Sequence, residues 1–209
     1  ALLISHDHRD HSRCAGIYQR KFGLPICITK KTLEAARTYQ KLGSIERIQN
    51  FAAGDTLRFG DVVVETIRTP HDASDGVAFV VDDGQCRLGV LTDLGHVFDE
   101  LAATIGSLDA VVLESNYDPE MLRTGPYPEF LKRRIRGPHG HLSNDEAAEL
   151  LAGSSGGRLR WACLAHLSEE NNDPELALKT HRRVLGRQIG LHVASRYETS
   201  EVLDTRSIV

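Results

Sequence analysis

Length, composition and charge place this chain among ordinary globular proteins: its 209 residues are enough to bury a self-sufficient core in one domain or at most two small ones. A net charge of −4 gives no general attraction to polyanions, so such a partner must be bound by local patches or by metal. No apolar stretch reaches the length of a membrane span and no signal peptide is visible, which argues against a membrane protein.

The predicted elements alternate between strands and helices along most of the chain. The first half is predicted to contain a strand at 2–4, a helix at 12–22, a strand at 26–28, a helix around 33–40 and a strand-rich region over 55–92 with a turn at 82–84. The second half is predicted to contain a helix at 99–105, a strand at 110–113, a loop-rich stretch at 116–141, a helix up to 152, a strand at 161–165, a helix up to 185 and a strand at 189–194. This alternation predicts one α/β domain with a mixed sheet.

The four cysteines are widely spaced and form no CxxC pair. Because three of them fall in predicted strands or amphipathic helices, we expect buried free thiols rather than disulfides or metal ligands. Free thiols persist in a reducing compartment, so the sequence predicts a cytoplasmic location.

A dense group of histidines and aspartates directly follows the apolar run 1–4. The segment 5–11 holds His6, His8 and His11 together with Asp7 and Asp10. Neutral imidazoles and carboxylates are both ligands of divalent metal ions. Packed this densely without a partner, these groups would perturb one another, so coordination is the simplest arrangement that satisfies them.

Further potential ligands follow the ends of later predicted strands. His71, Asp93, Glu114 and His166 each come at or just after an apolar strand segment. Because strand ends in a packed α/β fold converge on one edge, we expect these residues to meet the first cluster in one site.

These residues carry a family resemblance. The segment 5–11 resembles the HxHxDH motif of the metallo-β-lactamase superfamily, and His71, Asp93 and His166 follow in the order of its later landmarks. The stretches 92–96, 113–118, 140–143 and 164–172 resemble the YycJ/WalJ-like hydrolases, relatives of tRNase Z and the β-CASP nucleases. The resemblance implies an αββα sandwich. Superfamily members usually carry a hairpin and an Asp-x-Gly strand before the motif, so we expect residues 1–209 to be a single hydrolase domain whose N-terminal strands are missing.

The resemblance also implies a centre with two metal ions. The first ion would be held by His6, His8 and His71, and the second by Asp10, His11 and His166, with Asp93 bridging them. Five histidines and two carboxylates suit zinc, with manganese or iron as alternatives. Two ions about 3.5–4 Å apart can share a water, deliver it as hydroxide and neutralise a phosphate oxygen.

His141 and Glu114 are the remaining candidates for catalysis, beside Asp10. His141 precedes a predicted helix with a capping box at Ser143 and Glu146. In related nucleases the corresponding histidine is assigned the role of general acid. Its alternative is a loop histidine. Glu114 either orients His141 or a metal ligand, or is a buried carboxylate satisfied by backbone N–H groups.

A basic segment at 132–136, with Arg123 upstream, lies between Glu114 and His141 in the sequence. It either binds a phosphate backbone or forms a solvated helix face. The neighbouring aromatic residues Tyr117, Tyr127 and Phe130 either stack on bases or pack the loop.

Taken together, the sequence predicts a two-metal phosphodiesterase acting on nucleic acid, most plausibly a DNA exonuclease. The alternative is a small-molecule hydrolase of the same fold that opens a thioester, lactone or β-lactam. A third possibility is a metal-binding regulatory protein. The context of His71, Pro-His-Asp-Ala, does not resemble the Gly-His-Thr-x-Gly segment of glyoxalase II enzymes, which argues against that branch.

Overall fold

Two β-sheets pack face to face at the centre of the molecule. The computed structural model describes residues 1–154 and 157–205. The smaller sheet is wholly parallel and has the order β1-β2-β3, formed by β1 (Leu2–Leu3), β2 (Ile26–Thr29) and β3 (Ile48–Phe51).

The larger sheet is mixed and has the order β10-β9-β8-β7-β6-β5-β4. Its strands are β4 (Thr56–Phe59), β5 (Val62–Arg68), β6 (Val77–Asp82), β7 (Arg87–Leu91), β8 (Ala110–Glu114), β9 (Trp161–Ala165) and β10 (Gly190–Val193). The strands pair antiparallel from β4 to β7 and parallel from β7 to β10. The parallel half matters for function because it brings three strand ends to the same edge.

Helices lie outside both sheets. They are α1 (Arg9–Ser12), α2 (Ala15–Phe22), α3 (Lys30–Tyr39), α4 (Asp99–Gly106), α5 (Pro119–Thr124), α6 (Glu129–Arg136), α7 (Asn144–Ser154) and α8 (Pro174–Leu185). No helix among the described residues is long and apolar enough to cross a membrane.

Three apolar clusters define the layers. Phe51 of β3 packs with Leu57, Val64 and Phe79 of the larger sheet, so this cluster lies between the sheets. A second cluster joins β2 to α3 and includes Ile28, and the largest joins β7, β8 and β9 to α4, α7 and α8. Full burial of each large aliphatic side chain stabilises the fold by about 1.5–3 kcal/mol. The result is the expected αββα sandwich, although the single mixed sheet predicted from periodicity is two sheets.

The predicted helix start with a capping box at 143–146 is confirmed, and the helix predicted to reach 185 begins after Asp173. Ser143 N donates to Glu146 Oε2 at 2.8 Å and Glu146 N donates to Ser143 Oγ at 3.2 Å, which is the reciprocal capping box. Asp173 Oδ1 accepts hydrogen bonds from the first turn of α8.

Two regions differ from the sequence-based expectation. The helix expected over 12–22 is divided into α1 and α2, and α1 is a single turn that carries Asp10 and His11. The stretch expected to be loop-rich contains α5 and α6. An N-terminal signal for α5 is present in the sequence, because Asp118 caps the helix ahead of Pro119. As expected, the cysteines are free, and Cys27, Cys86 and Cys163 are buried, whereas Cys14 is exposed.

Candidate metal centre

The seven predicted metal ligands meet at one edge of the sandwich. Each belongs to at least one group of His or carboxylate donors whose ligand atoms lie within 4.8 Å of one another. They are His6, His8, Asp10, His11, His71, Asp93 and His166. Glu114 and His141 join the same cluster through Asp93 and His166.

Backbone strain occurs where two of these side chains leave their strands. Asp93, which follows β7, and His166, which follows β9, both have φ of 58°, in the left-handed region that non-glycine residues rarely adopt. Such a conformation costs on the order of 1–3 kcal/mol and persists only where the surrounding structure enforces it. Both turns direct a potential ligand into the cluster directly after a parallel strand.

Six of the donors fall into two separate groups, and Asp93 belongs to two further groups that share members with them. His6, His8 and His71 form one group, and Asp10, His11 and His166 form the other.

Each oxygen of Asp93 faces a histidine nitrogen. Its Oδ1 lies 3.5 Å from His71 Nε2 in the first group and 3.6 Å from His166 Nε2 in the second. Its Oδ2 lies 3.4 Å from His11 Nε2. A carboxylate with this placement can contact an ion in either group or bridge two.

The histidine rings are oriented by hydrogen bonds on the side away from the cluster. His71 Nδ1 donates to Gly140 O at 2.8 Å, and His8 Nε2 donates to Asp72 O at 3.2 Å. Because a carbonyl oxygen only accepts, each of these nitrogens carries its proton and the other nitrogen of the neutral ring keeps a lone pair. This arrangement is typical of metal-binding histidines.

Ser5 provides the equivalent contact for two further rings. Its Oγ lies 3.0 Å from His6 Nδ1 and 3.3 Å from His11 Nδ1. The hydroxyl therefore fixes both rings from the side opposite Asp93.

Two buried polar atoms at the centre favour a bound cation. His6 Nε2 and Asp93 Oδ2 are buried and have no hydrogen-bond partner among the described residues. Burying such groups unsatisfied is costly, and a metal ion satisfies both. Burial, together with the neighbouring His11, His8 and His71, lowers the pKa of His6 to about 2, so that its imidazole is neutral and able to coordinate.

Glu114 contacts the other catalytic candidate, His141, and the predicted ligand His166. The side chain is fully buried at the end of β8. Its Oε1 accepts from His141 Nδ1 at 2.6 Å and lies 3.2 Å from His166 Nδ1. Its Oε2 accepts from Leu94 N at 3.1 Å and Leu142 N at 3.2 Å. Both sequence-based alternatives for Glu114 thus occur together: it orients histidines and is satisfied by backbone N–H groups.

The electrostatics of this pair follow from those contacts. Burial alone would raise the pKa of Glu114, but hydrogen bonds from His141 and His166 outweigh it and hold the pKa well below its usual range. Burial would lower the pKa of His166, but Asp10 and Glu114 raise it to about 10. The carboxylates around His166 therefore favour positive charge on this side of the cluster.

A buried polar network that the sequence analysis did not single out supports this edge. Ser115 Oγ donates to Asn144 Oδ1 at 2.6 Å, and Asn172 Nδ2 donates to Ser115 O at 2.8 Å. Asn116 Nδ2 donates to His166 O at 2.7 Å, which stabilises the strained turn. Ser115, Asn116 and Asn172 lie within the stretches that carried the branch resemblance, and Asn144 directly follows one of them, but the resemblance did not show that these side chains form a network.

Gly95 allows the loops around the centre to approach closely. Its φ is 70°, and a Cβ at this position would lie 2.6 Å from Pro70 O and 2.8 Å from Pro138 O. Only glycine fits this position without displacing the segments that carry His71 and His141.

The other histidines lie outside the donor groups. His96 Nδ1 donates to Pro138 O and His139 Nδ1 donates to Pro70 O, so both link loops near the centre. His181 is buried in α8 and donates to Ala177 O, and His192 packs edge-on against Trp161. Both contacts are structural and lie within or beside secondary-structure elements.

The side chains of the basic segment 132–136 have different environments in the fold. Lys132 is buried, and its Nζ donates to the backbone oxygen of Arg123 at 2.8 Å. Arg134 instead lines a cavity of about 1030 Å³ beside the donor cluster. Among the aromatic residues, Tyr117 packs in a buried cluster, Tyr127 lines the cavity and Phe130 is exposed.

A family model described as the beta-lactamase superfamily domain matches residues 1–162. The chain therefore belongs to the metallo-β-lactamase superfamily, a superfamily of hydrolases, as its αββα sandwich and histidine–aspartate centre indicate. The fold and the donor set imply that it binds divalent metal.

Two curated relatives are similar over most of the chain. Exodeoxyribonuclease YycJ of Bacillus anthracis is 36% identical over 199 residues, which cover 94% of this chain and 74% of that protein. Exodeoxyribonuclease WalJ of Streptococcus pneumoniae is 39% identical over 184 residues, covering 86% of this chain and 68% of that protein. The expected resemblance to the YycJ/WalJ-like branch is confirmed.

Solved structures share the fold at lower identity. The metallo-β-lactamase fold protein YhfI from Bacillus subtilis has a TM-score of 0.68 at 17% identity, covering 92% of this chain and 73% of that one. Zn(2+)-bound PqqB from Methylobacterium extorquens has a TM-score of 0.65 at 20% identity, covering 92% and 69%. At this identity the likeness is one of fold.

Proposed function

We propose that the chain is a metal-dependent exodeoxyribonuclease that hydrolyses phosphodiester bonds of DNA with two divalent ions. The observation that carries the proposal is the position of Asp93, whose two oxygens face histidines of both donor groups. The names of the YycJ and WalJ relatives support DNA as the substrate. In this proposal residues 1–209 act as a single hydrolase domain in the cytoplasm.

The donor groups assign the proposed ligands to two ions. His6, His8 and His71 would hold one ion, Asp10, His11 and His166 the other, and Asp93 would contact both. Zinc fits five imidazoles and two carboxylates best, with manganese or iron as alternatives. When bound, two such ions lower the pKa of a water to near neutrality and neutralise phosphate charge.

His141 is the proposed general acid. Its Nδ1 donates to Glu114, which leaves Nε2 as the atom that exchanges a proton with the leaving oxygen. The side chain is 20% exposed and lines the cavity, so a substrate can reach it. Glu114, fully buried, holds the ring in this orientation and also contacts His166.

The proposal is tested with a panel of substrates for the metal-loaded protein. We expect nucleotide release from end-labelled linear DNA and no cleavage of a closed circular DNA of the same sequence, since an exonuclease requires a strand end. A thioester, a lactone and a β-lactam form the comparison arm. Hydrolysis of one of these with all nucleic acids left intact would instead establish the small-molecule alternative.

A further inference from the structure

The cavity beside the metal centre has walls from two separate parts of the chain. One wall comes from Tyr127 and from α6 with Arg134, and another comes from the segment after β10 and includes Arg196. His8, His141 and His166 line the same cavity. Any substrate that reaches the donor cluster through this cavity passes both arginines.

Arg134 is held in a fixed orientation by one of its donors. Its Nε donates to Asp72 Oδ2, and the side chain remains 57% exposed. Neither of its terminal Nη groups has a hydrogen-bond partner among the described residues. The bond through Nε therefore fixes the guanidinium plane and leaves two parallel donors free, which is the geometry that matches a phosphate group.

Asp72 connects this arginine to the metal centre. Its Oδ1 lies 3.6 Å from His8 Nε2 and 3.5 Å from His71 Nε2. Arg134 is thus joined to the first donor group through a single carboxylate, which places a phosphate bound to its free donors beside that group.

The charge of the cavity makes such a contact necessary. The described residues that line it include four carboxylates: Asp10, Asp72, Glu169 and Asp173. The basic residues of that lining, histidines aside, are Arg134 and Arg196. The neighbouring cations do not replace them: Lys132 donates to a backbone oxygen, Arg123 pairs with Glu120, and Arg133 and Arg136 do not line the cavity. A polyanion entering this cavity has these two arginines to neutralise it beyond the metal ions.

We propose that Arg134 binds the phosphate adjacent to the scissile one, that Asp72 positions its guanidinium, and that Arg196 makes a second phosphate contact from the other wall. This inference rests on the proposed nuclease function and specifies how that function selects a substrate with consecutive phosphates. Arg196 is half-exposed: its Nη2 donates to Leu167 O at 2.9 Å and its Nε lies 4.0 Å from Glu169 Oε2, so Nη1 is the donor that remains for the substrate.

The test compares Arg134→Ala with Arg133→Ala in the metal-loaded protein. Both remove one charge from an exposed position of α6, but Arg133 does not line the cavity. For Arg134→Ala we expect KM on end-labelled DNA to rise about tenfold and the slope of log Kd against log salt to fall by about 1. Arg133→Ala should stay within about twofold of the wild type in KM. Equal effects of the two substitutions, or no effect of Arg134→Ala, overturn the proposal.

The positioning role of Asp72 is tested by a double-mutant cycle. If Asp72 acts through Arg134, Asp72→Asn should raise KM in the wild-type background and add little in the Arg134→Ala background. Fully additive effects with unchanged metal content would contradict a role through Arg134.

A small diester separates this inference from the function on which it rests. Bis(4-nitrophenyl) phosphate has one phosphate, so Arg134→Ala should impair its hydrolysis about tenfold less than that of DNA. A wild-type protein that cleaves neither substrate refutes the nuclease function and the inference with it. A wild-type protein that cleaves DNA, with Arg134→Ala unchanged in KM and salt slope, refutes the inference alone.

Discussion

At the scale of single residues, the centre depends on which atom of each side chain is already engaged. His71 and His8 each donate a hydrogen bond from one ring nitrogen to a backbone oxygen, and the other nitrogen faces the cluster. Histidine is useful here because its two nitrogens divide these tasks. The same division at His141, with Nδ1 on Glu114, leaves Nε2 for proton transfer.

Replacing His141 tests its proposed role. His141→Asn removes the proton-carrying Nε2 and leaves the metal ligands in place, so we expect kcat to fall about 10²–10⁴-fold. Metal content, measured by elemental analysis, should stay at the wild-type value. Loss of one ion in this variant would instead identify His141 as a ligand.

Replacing Glu114 should affect two histidines at once. Glu114→Gln replaces one of the two oxygens by an amide donor, so either both histidine contacts of Oε1 or both backbone bonds of Oε2 are lost. We expect kcat to fall about 10–100-fold, as for other residues that orient metal ligands, with weaker binding of the second ion. Kinetics and a metal titration with a chromogenic chelator measure the two effects. Unchanged kinetics would show that the backbone bonds are its whole role.

At the scale of elements, the parallel strands β7, β8 and β9 end side by side, and Asp93, Glu114 and His166 lie at or just after those ends. Strand geometry thus brings together residues more than 70 positions apart. The loops between them must then pack closely, which is where Gly95 is required.

Gly95→Ala should disturb this packing. The added Cβ would lie 2.6 Å from Pro70 O, and the φ of 70° is strained for any other residue. We expect a loss of stability of roughly 1–3 kcal/mol and weaker metal binding, because His71 follows Pro70 directly. Urea unfolding with metal and with chelator measures both. Gly153→Ala, a glycine in α7 with open space around it, is the matched control and should not destabilise the protein.

Asp109 joins β7 to β9 at the end opposite the metal centre and gives a pH-dependent prediction. Its carboxylate accepts from Arg158 Nε and Nη2, each at 3.0 Å, and from Arg87 N at 2.8 Å. Burial would raise its pKa, but these hydrogen bonds outweigh it and lower the pKa in the folded state.

The sign of the effect follows from the lowered pKa. The ionised carboxylate stabilises the fold above its unfolded pKa of about 3.9, and this stabilisation is lost as pH falls through the lower folded pKa. Asp109→Asn should therefore cost about 1 kcal/mol at pH 7. The difference from the wild type in urea unfolding should shrink below about pH 4. A constant difference from pH 7 to pH 3 would contradict an ionised contact.

At the scale of the whole molecule, the metal centre lies where both sheets meet. His6 and His8 follow β1 of the smaller sheet, whereas Asp93 and His166 follow strands of the larger one. Metal bound across this junction links the two halves of the sandwich.

Removing metal should therefore lower the stability of the entire fold. With free metal at 100 times its Kd, binding stabilises the native state by about 2.7 kcal/mol. For a chain of this size we expect chelation to lower Tm by roughly 5–10 °C, measured by calorimetry. Asp93→Ala, which lacks the shared carboxylate, should show a smaller shift. An unchanged Tm in the wild type would show that the centre is not coupled to folding.

The sequence by itself determined the identity of the donors and most of the elements. The density of His6, His8, Asp10 and His11 indicates potential ligands without any fold, because coordination is the simplest arrangement that satisfies them. Strands and capped helices follow from periodicity and from local hydrogen bonds such as that between Ser143 and Glu146. These features depend on neighbours within a few positions, and the sequence shows those neighbours directly.

Only the tertiary structure decided which oxygen or nitrogen faces which partner. Glu114 contacts both His141 and His166, and Asp72 accepts a hydrogen bond from Arg134; these contacts join residues distant in sequence. The burial of Lys132 depends on the direction of its side chain. The division of the strands into two sheets was also settled there, because periodicity reports which face of a strand is apolar and not which strand lies beside it. Sequence therefore specified the chemistry available, and packing specified its geometry.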